Sequence, residues 1–344
     1  MKERIGIAMS GGVDSTATAL LLREHNAVTG FFMRLAQPDF DRQHQRVSQL
    51  ADRLDIPLHV IDLKESFQQK VLDYFTRSYF AGITPNPCVL CNQEIKFGLF
   101  LQAVLAHGME RMATGHYARI VHDDAGYHLH DGVDPVKNQA YFLSRLSQEQ
   151  LARILFPLGD RHKTESYSLV RHHGFTDFEG RESQDVCFLA DQPVAAYLAS
   201  RAPEVIRGGP VVTGSGEEIG RHQGLFRYTI GQRRGLGIPG ANPWYVTGID
   251  GASNTLIVGE AQELFKKTII LQQIHWLSGN LPDVRRAYNV RIRYSQRGAR
   301  ARLEVDDSPQ LKIVFDEPQR AITPGQFAVI SHHDEILGSG IIVN

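Results

Sequence analysis

The sequence predicts an α/β protein in three parts: a Rossmann-like parallel-sheet domain over 1–200, a small β-rich central domain over 201–266 and a C-terminal β-barrel over 267–344. Three observations lead there. In the N-terminal half, short apolar runs alternate with longer helical patterns, the cadence of parallel strands joined by crossover helices. Near Arg201 the composition shifts, and glycine becomes frequent from Gly208 onward. From about Thr268 to the end, short β-rich runs follow one another at close spacing, which suits a small barrel.

Ile5 to Met9 reads as a buried strand, and Asp14 to His25 as a helix with Ala17, Leu20, Leu21 and Leu22 on its inner side. Val28 to Met33 and Leu58 to Leu63 supply further strands, with a helix at Gln43 to Leu54 between them. Helices are expected near Phe67 to Tyr79 and Ile95 to His107, then a strand at Arg111 to Thr114, then helices at Ser147 to Leu155 and Lys163 to His172. In the central part, Trp244 to Thr247 and Thr255 to Val258 are strands around an Asp250-Gly251 turn. Tyr288 to Tyr294, Ala301 to Val305, Leu311 to Phe315, Gln326 to Ile330 and Gly340 to Val343 are the barrel strands.

The 344 residues include 37 basic and 38 acidic side chains, a formal net charge of -1. With 42% hydrophobic and 22% charged residues, the chain is neither disordered nor collagen-like. The near-neutral balance argues against a uniformly basic coat for nucleic acid but leaves local patches open. Three cysteines, Cys88, Cys91 and Cys187, are too few for a disulfide-stapled secreted scaffold. No signal peptide pattern or apolar run of membrane-spanning length stands out, so the expectation is a cytoplasmic protein with no membrane contact, monomeric when free.

The sharpest motif is Ser10-Gly11-Gly12-Val13-Asp14-Ser15 between the first strand and the first helix. A glycine pair there lets backbone amides approach a phosphate, and the helix N-terminus adds N–H donors and a favourable dipole. Ser10 and Ser15 add hydroxyls, and Asp14 either orients the loop or holds a magnesium ion. The chain contains no Walker A pattern. The loop instead resembles that of the ATP pyrophosphatases, which implies cleavage of ATP between its α and β phosphates. A second pattern, Gly235-Leu-Gly237-Ile-Pro-Gly240, matches a Rossmann fingerprint only formally, because Pro239 and its β-rich surroundings offer no strand-to-helix turn.

Cys88 and Cys91 form a C-x-x-C behind Pro85 and Pro87, which reads as a stiff loop leading into the helix from Ile95, near an N-terminus that favours thiolate. Cys187 follows 96 residues after Cys91. The bland reading is a set of small buried hydrophobes. A Cys3His zinc site, a thiol pair relaying a persulfide through a disulfide, a 4Fe-4S cluster with one open iron, and thioredoxin-like redox chemistry are the functional readings.

Taken with Phe32-Met33, Thr84-Pro-Asn-Pro87, Cys91-Asn92, Glu94-Ile-Lys-Phe97, Thr114 to Arg119, Asn138-Gln139, Leu155-Phe-Pro157, Cys187-Phe188, His222-Gln-Gly224, Tyr228 to Gly237, Pro243 to Val246, Phe315 to Pro318 and Thr323 to Gln326, the chain resembles the tRNA-specific 2-thiouridylases of the MnmA type from end to end. The resemblance implies that ATP adenylates the C2 oxygen of the wobble uridine and that sulfur then replaces it, giving 2-thiouridine and AMP. It implies an ATP site at Ala8, Met9, Ser10, Gly11, Gly12, Val13, Asp14, Ser15, Met33 and Gly115, with Mg2+. It makes Cys91 the nucleophile and Cys187 the persulfide carrier, fed by a sulfur donor. Asn86, Pro87 and Cys88 would meet the target base, and His116, Lys137, Asn138, Gln139, Arg293, Tyr294 and Gln326 would contact tRNA. Four departures stand out: Cys88 where the family pattern has Asp, Asp185-Val186 where it has Gly-x before the cysteine, Asn138 for a common Asp, and a shorter segment at 36–45. Cys88 completes a three-thiol set and makes Cys88, Cys91 and Cys187 candidate ligands of a 4Fe-4S cluster.

Between Val284 and Leu303 lie Arg285, Arg286, Arg291, Arg293, Arg297, Arg300 and Arg302, with no acid among them and Tyr288 and Tyr294 interleaved. Such a run offers phosphate forks and stacking planes for RNA, or keeps a barrel face solvated. Arg227, Arg233 and Arg234 form a second group. The rival functions are another ATP pyrophosphatase such as an amidotransferase-coupled synthetase, and a non-catalytic RNA-binding or iron-sulfur carrier protein. The first has no need of the three cysteines, and the second has no need of the phosphate loop.

Overall fold

The structure is a computed structural model that describes residues 2–178, 186–189, 192–202, 206–240, 242–306 and 308–343. The approach to Cys187 through Ser183, Gln184 and Asp185 lies outside them. β1 (Arg4–Ala8), α1 (Val13–Arg23), β2 (Ala27–Arg34), α2 (Phe40–Leu54) and β3 (Leu58–Asp62) fall where the sequence places them. α3 (Lys64–Phe67) and α4 (Asp73–Phe80) are joined by a π-helical turn at Gln68–Leu72. After α5 (Pro87–Leu90), a ten-residue π-helix, Cys91–Phe100, and α6 (Leu101–Ala106) comes β4 (Arg111–Ala113).

Cys88 and Cys91 therefore sit on a helix rather than in a stiff loop before one. Asn86 is the cap, its Oδ1 accepting from the Val89 amide at 3.4 Å, and Pro87 occupies the first helical position, where its missing N–H costs nothing. The continuous helix, Pro87–Ala106, is apolar enough by length and composition to cross a membrane, with a mean hydropathy of 1.2. Its apolar residues have a different use: Val89, Ile95, Phe97, Phe100 and Val104 are buried in the protein core.

A hairpin, β5 (Ala118–Asp123) and β6 (Gly126–Asp131), was not foreseen, and the segment read as helix to Leu155 is the short α7 (Gln148–Leu151) followed by an edge strand, β7 (Ile154–Leu155). β7 closes a five-stranded all-parallel sheet in the order β3-β2-β1-β4-β7. α8 (Lys163–His172) packs beside α1 and α2 in one apolar cluster, and the Pro87–Ala106 helix contributes to another.

Beyond α9 (Val194–Arg201), β8 (Gly209–Thr213), β9 (Glu218–His222), β10 (Tyr245–Asp250) and β11 (Thr255–Gly259) form a four-stranded sheet ordered β10-β11-β8-β9. The barrel consists of β12 (Phe265–Trp276), β13 (Ala287–Arg291), β14 (Ala299–Val305), β15 (Leu311–Arg320), β16 (Phe327–His332) and β17 (Glu335–Ile342). It closes through β12–β17 pairing around Ile269, Leu271, Val290, Leu303, Ile313, Phe315, Ile330 and Ile342. The hairpin extends the same sheet through β17–β6, pairing Ile336 with Leu129.

Candidate active site

β1 ends at Ala8, and the Met9 amide donates to the Phe31 carbonyl at 2.8 Å, pinning the start of the phosphate loop to the neighbouring strand. Gly11 takes φ +79°, a left-handed conformation that disfavours any side chain, and Gly12 caps α1. Ser15 Oγ accepts from the Ser10 amide at 3.2 Å and donates to the Gly12 carbonyl at 3.1 Å, closing the turn. The first intrahelical bond is Thr16 N–H to Gly12 O, which leaves the earlier amides of α1 available to an anion.

Asp14 is already engaged. Lys163 Nζ donates to both its oxygens, at 2.7 and 2.8 Å, and the Tyr117 hydroxyl donates to Oδ1 at 2.9 Å. Of the two roles read for Asp14, orienting the loop is the one this geometry carries. Burial and the Asp14 charge together push the Tyr117 phenol far up, so it stays a donor. Lys163 was missed in the sequence, and the available signal was a lysine at the first position of a helix, against the dipole. Gly115 packs directly on this group: a Cβ there would stand 2.6 Å from Asp14 Cβ and 2.8 Å from its carbonyl carbon.

Cys88 and Cys91 are half-buried and Cys187 is exposed, and all three are reduced thiols. Burial pushes Cys88 up to about 11 and Cys91 up to about 12. The surrounding protein also raises Cys187, although the residue itself is open to solvent. The low-pKa thiol expected from the helix N-terminus is thus not what the fold presents, because desolvation outweighs the opposing Lys96 charge. The thiols are electrostatic neighbours: Cys187 raises both Cys88 and Cys91, and Lys96 lowers all three. Phe188 anchors the Cys187 segment, meeting Phe67 and Phe75 edge-on at 5.9 and 5.1 Å in a cluster that also takes in Cys91. Three thiols are donors of the right kind for a 4Fe-4S cluster, yet among the described residues no three His, Cys, Asp or Glu side chains lie close enough to hold a metal ion as placed.

His116 is half-buried behind Lys96, whose Nζ donates to Nε2 at 3.4 Å. Its Nδ1 lies 2.7 Å from Thr114 Oγ1. Burial, then the Lys96 charge, depresses His116 well below the ordinary imidazole value. A neutral ring that accepts from an ammonium at Nε2 carries its proton on Nδ1 and donates it to Thr114.

The remaining sequence-selected residues lie on β2, between β6 and α7, and in the barrel. Gln326 Nε2 donates to the Thr84 and Pro85 carbonyls at 2.9 and 3.1 Å, tying the barrel to the approach to Cys88. Asn138 Oδ1 accepts from the amides of Gly132 and Ala140, and Gln139 Oε1 from that of Tyr117, while the Lys137 amide donates to Asp134. Arg293 is turned inward, its Nη2 donating to Ala321 O at 2.6 Å, Thr323 Oγ1 at 2.5 Å and Ile230 O at 3.4 Å. Tyr294 stands 4.4 Å from Phe142, ring centre to ring centre. Met33 is half-buried at the end of β2. In space the arginine run is not free of acid: Arg291 pairs with Asp131 at 2.9 Å, Arg285 with Asp283 at 2.8 Å and Arg300 with Asp316 at 3.3 Å.

Three family models cover most of the chain: the tRNA methyl transferase HUP domain at 3–191, the tRNA methyl transferase PRC-barrel domain at 195–260 and the aminomethyltransferase beta-barrel domain at 266–342. The chain is 54% identical over 343 residues to the tRNA-specific 2-thiouridylase MnmA of Desulfotalea psychrophila, with 100% of both chains covered. It is 42% identical to the enzyme of the same name from Syntrophomonas wolfei, covering 98% of this chain and 99% of that one. The Carboxydothermus hydrogenoformans enzyme is 40% identical, with 99% and 98% covered. The chain belongs to the MnmA family of tRNA-specific 2-thiouridylases.

Proposed function

We propose that this protein converts the wobble uridine of tRNA to 2-thiouridine, using ATP and Mg2+ to adenylate the C2 oxygen and a thiol relay to replace it with sulfur. One observation carries the reading beyond family membership. The short loop Thr114-Gly115-His116 faces both halves of the chemistry: Gly115 packs on Asp14 of the phosphate loop, and His116 accepts from Lys96, whose charge is felt at all three thiols. Activated oxygen and incoming sulfur would thus meet on one rigid support, and alignment of reacting groups is a large part of any barrier reduction.

In this reading Ala8 to Ser15, Met33 and Gly115 bind ATP, the loop amides facing its phosphates. A donor protein's persulfide charges Cys187, the Cys187 thiolate attacking its outer sulfur and the donor leaving as a free thiol, and the exposure of Cys187 suits delivery from outside. The outer sulfur of the Cys187 persulfide attacks C2, and AMP leaves. Cys91 then attacks Cys187 Sγ: the Cys91–Cys187 bond forms, the bond to the outer sulfur breaks, and its electron pair stays with the sulfur on C2, where N3 regains a proton. An external thiol reductant reopens the disulfide for the next cycle. Asn86, Pro87, Cys88 and Gln326 frame the target base, His116, Lys137 to Gln139 and Tyr294 line the approach of the tRNA, and Arg293, expected there from the sequence, braces it from within through Ala321, Thr323 and Ile230.

Incubation with tRNA, ATP, Mg2+, a persulfide donor and a thiol reductant should give 2-thiouridine and AMP in equal amounts. Thiolation without AMP, or AMP without tRNA, overturns the mechanism. A second reading rests on the common Lys96 influence at three thiols: Cys88, Cys91 and Cys187 draw together around a 4Fe-4S cluster, which would supply an open iron for an exogenous sulfur. Anaerobic reconstitution decides it, since absence of iron-sulfur absorption, or wild-type thiolation by Cys88→Ala, removes the cluster.

A further inference from the structure

Splitting ATP between its α and β phosphates releases pyrophosphate, a highly charged anion, and the phosphate loop itself holds little to meet that charge. Ser10 to Ser15 contains no basic residue, whereas a Walker-type loop carries a lysine. Lys163, the lysine beside the loop, commits its ammonium to both oxygens of Asp14 at 2.7 and 2.8 Å. The neighbouring helix supplies another cation. A Cβ on Gly11 would stand 3.2 Å from Val47 Cγ2 and 3.6 and 3.7 Å from Cδ and Cγ of Arg46, so the Arg46 stem lies along the loop at the glycine with φ +79°. Its placement is firm. Val47 is fully buried in one apolar cluster with Val13 and Ala17 of α1, and His44 stacks on Phe32 and Phe40, ring centres 6.1 and 5.6 Å apart, tying the start of α2 to β2. Arg46 is exposed, and among the described residues no carboxylate or hydrogen-bond acceptor engages its guanidinium, which stands 5.8 Å from the centre of the Phe178 ring.

We propose that Arg46 is a further catalytic residue of the adenylation step, its guanidinium holding the β and γ phosphates of ATP and taking up the charge of pyrophosphate as it departs. The proposal rests on the adenylation reading above. In that step the C2 oxygen of uridine bonds to the α phosphorus, the bond from that phosphorus to the α–β bridging oxygen breaks, and its electron pair leaves with pyrophosphate, while N3 gives its proton to solvent. Negative charge therefore grows on the β phosphate as the bond breaks, and a cation placed there lowers the barrier more than it tightens ATP binding. Arginine suits the task, because its fork matches phosphate oxygens with parallel N–H bonds and it stays charged at any working pH. The loop amides and the start of α1 would hold the anion from one side, and Arg46 would close on it from α2. Turning from the Phe178 ring to a phosphate costs little, since a cation–π contact at an exposed site is weak. The two cations then divide the work: Lys163 shapes the loop through Asp14, and Arg46 meets the substrate.

The test compares full-length wild type, Arg46→Met, Arg46→Gln and Arg46→Lys, with Mg2+ throughout. Methionine keeps an unbranched apolar stem against Gly11 while removing the charge, and glutamine decides alone if that variant fails to fold. Calorimetric binding of pyrophosphate should weaken about tenfold or more in Arg46→Met, the scale of one lost charge-assisted contact, while AMP, which lacks the β and γ phosphates, should bind as it does to wild type. tRNA-dependent release of pyrophosphate from ATP should fall about a hundredfold, more in kcat than in KM, and Arg46→Lys should recover part of both. Unchanged pyrophosphate affinity and kcat in Arg46→Met overturn the proposal. Equal weakening of AMP and pyrophosphate overturns it as well, because that is the mark of a displaced loop rather than a lost phosphate contact. Wild type separates the two levels: if it releases no pyrophosphate from ATP in the presence of tRNA, the adenylation reading falls and the proposal with it, whereas an active wild type matched by Arg46→Met sinks the Arg46 proposal alone.

Discussion

At the phosphate loop charge is scarce and enclosed, whereas along the barrel strands it is abundant and mostly open. Asp14 meets a lysine from 149 residues away whose side chain is only 11% exposed, while Arg285 meets Asp283 two residues away with 87% of its side chain in water. The first pair fixes a backbone that must face phosphates, and the second is the kind of exposed pair that contributes little to stability. Within the barrel the same division recurs: Arg291 and Arg293 are turned inward onto protein acceptors, while Arg285, Arg286 and Arg300 stay outside. Enclosed charge therefore positions the site, and the open charge is where we expect a polyanion to bind.

The sharpest way to break that comparison is Gly115→Ala. Its Cβ has no room against Asp14, so the two loops must part, and displacements of about an ångström cost on the order of a hundredfold in rate. Pyrophosphate release should fall by about that factor, and full activity would show that the loop contact is incidental. Lys163→Met comes next. It leaves Asp14 unpaired but partly solvated, so we expect a loss of about 2 kcal/mol in urea denaturation, less than for a fully buried pair, together with slower adenylation.

The arginines should split rather than act alike. Arg293→Ala removes a guanidinium that ties Ala321, Thr323 and Ile230 together, and should cost about 2 kcal/mol of stability. Arg285→Ala, Arg286→Ala and Arg300→Ala should leave the melting temperature nearly as it is and each lower the salt slope of tRNA binding by about 0.7 to 0.9 where a phosphate contact is lost. Equal behaviour of the two groups in both assays would dissolve the distinction.

The same contrast explains what was legible. The phosphate loop could be read because its requirements are local: a glycine with positive φ, a capping position and a helix start lie within a few residues. The cysteines were legible as a set, but their acidity was not, since burial is contributed by Phe67, Phe75 and Phe188 from distant segments. The arginine run looked free of acid because Asp131, Asp283 and Asp316 stand just outside it in sequence or far from it. Lys163 and the π-helix at Cys91 depend on tertiary packing, and no spacing of apolar residues announces either.

The smallest expected effect lies where the two regions join, at the seam between the β5–β6 hairpin and the barrel. His128 Nδ1 lies 2.7 Å from Glu335 and Nε2 3.1 Å from Asp123, while His130 lies 3.3 Å from Asp334, which also takes Arg119. Glu335 first, and Asp123 after it, hold the proton on His128 and raise it above its ordinary 6.5. A group raised on folding stabilises the folded chain fully below its unfolded value and loses that contribution as pH rises through the folded one. Stability should therefore decline gently from about pH 6.5 upward through the raised value, and His128→Gln should flatten that decline in urea denaturation followed across pH. Because β6 pairs with β17 through Ile336 and Leu129, both buried, the backbone seam should hold while the charge on it is lost. A steep loss of the whole barrel over the same range would show that enclosed charge holds this seam as it holds the phosphate loop.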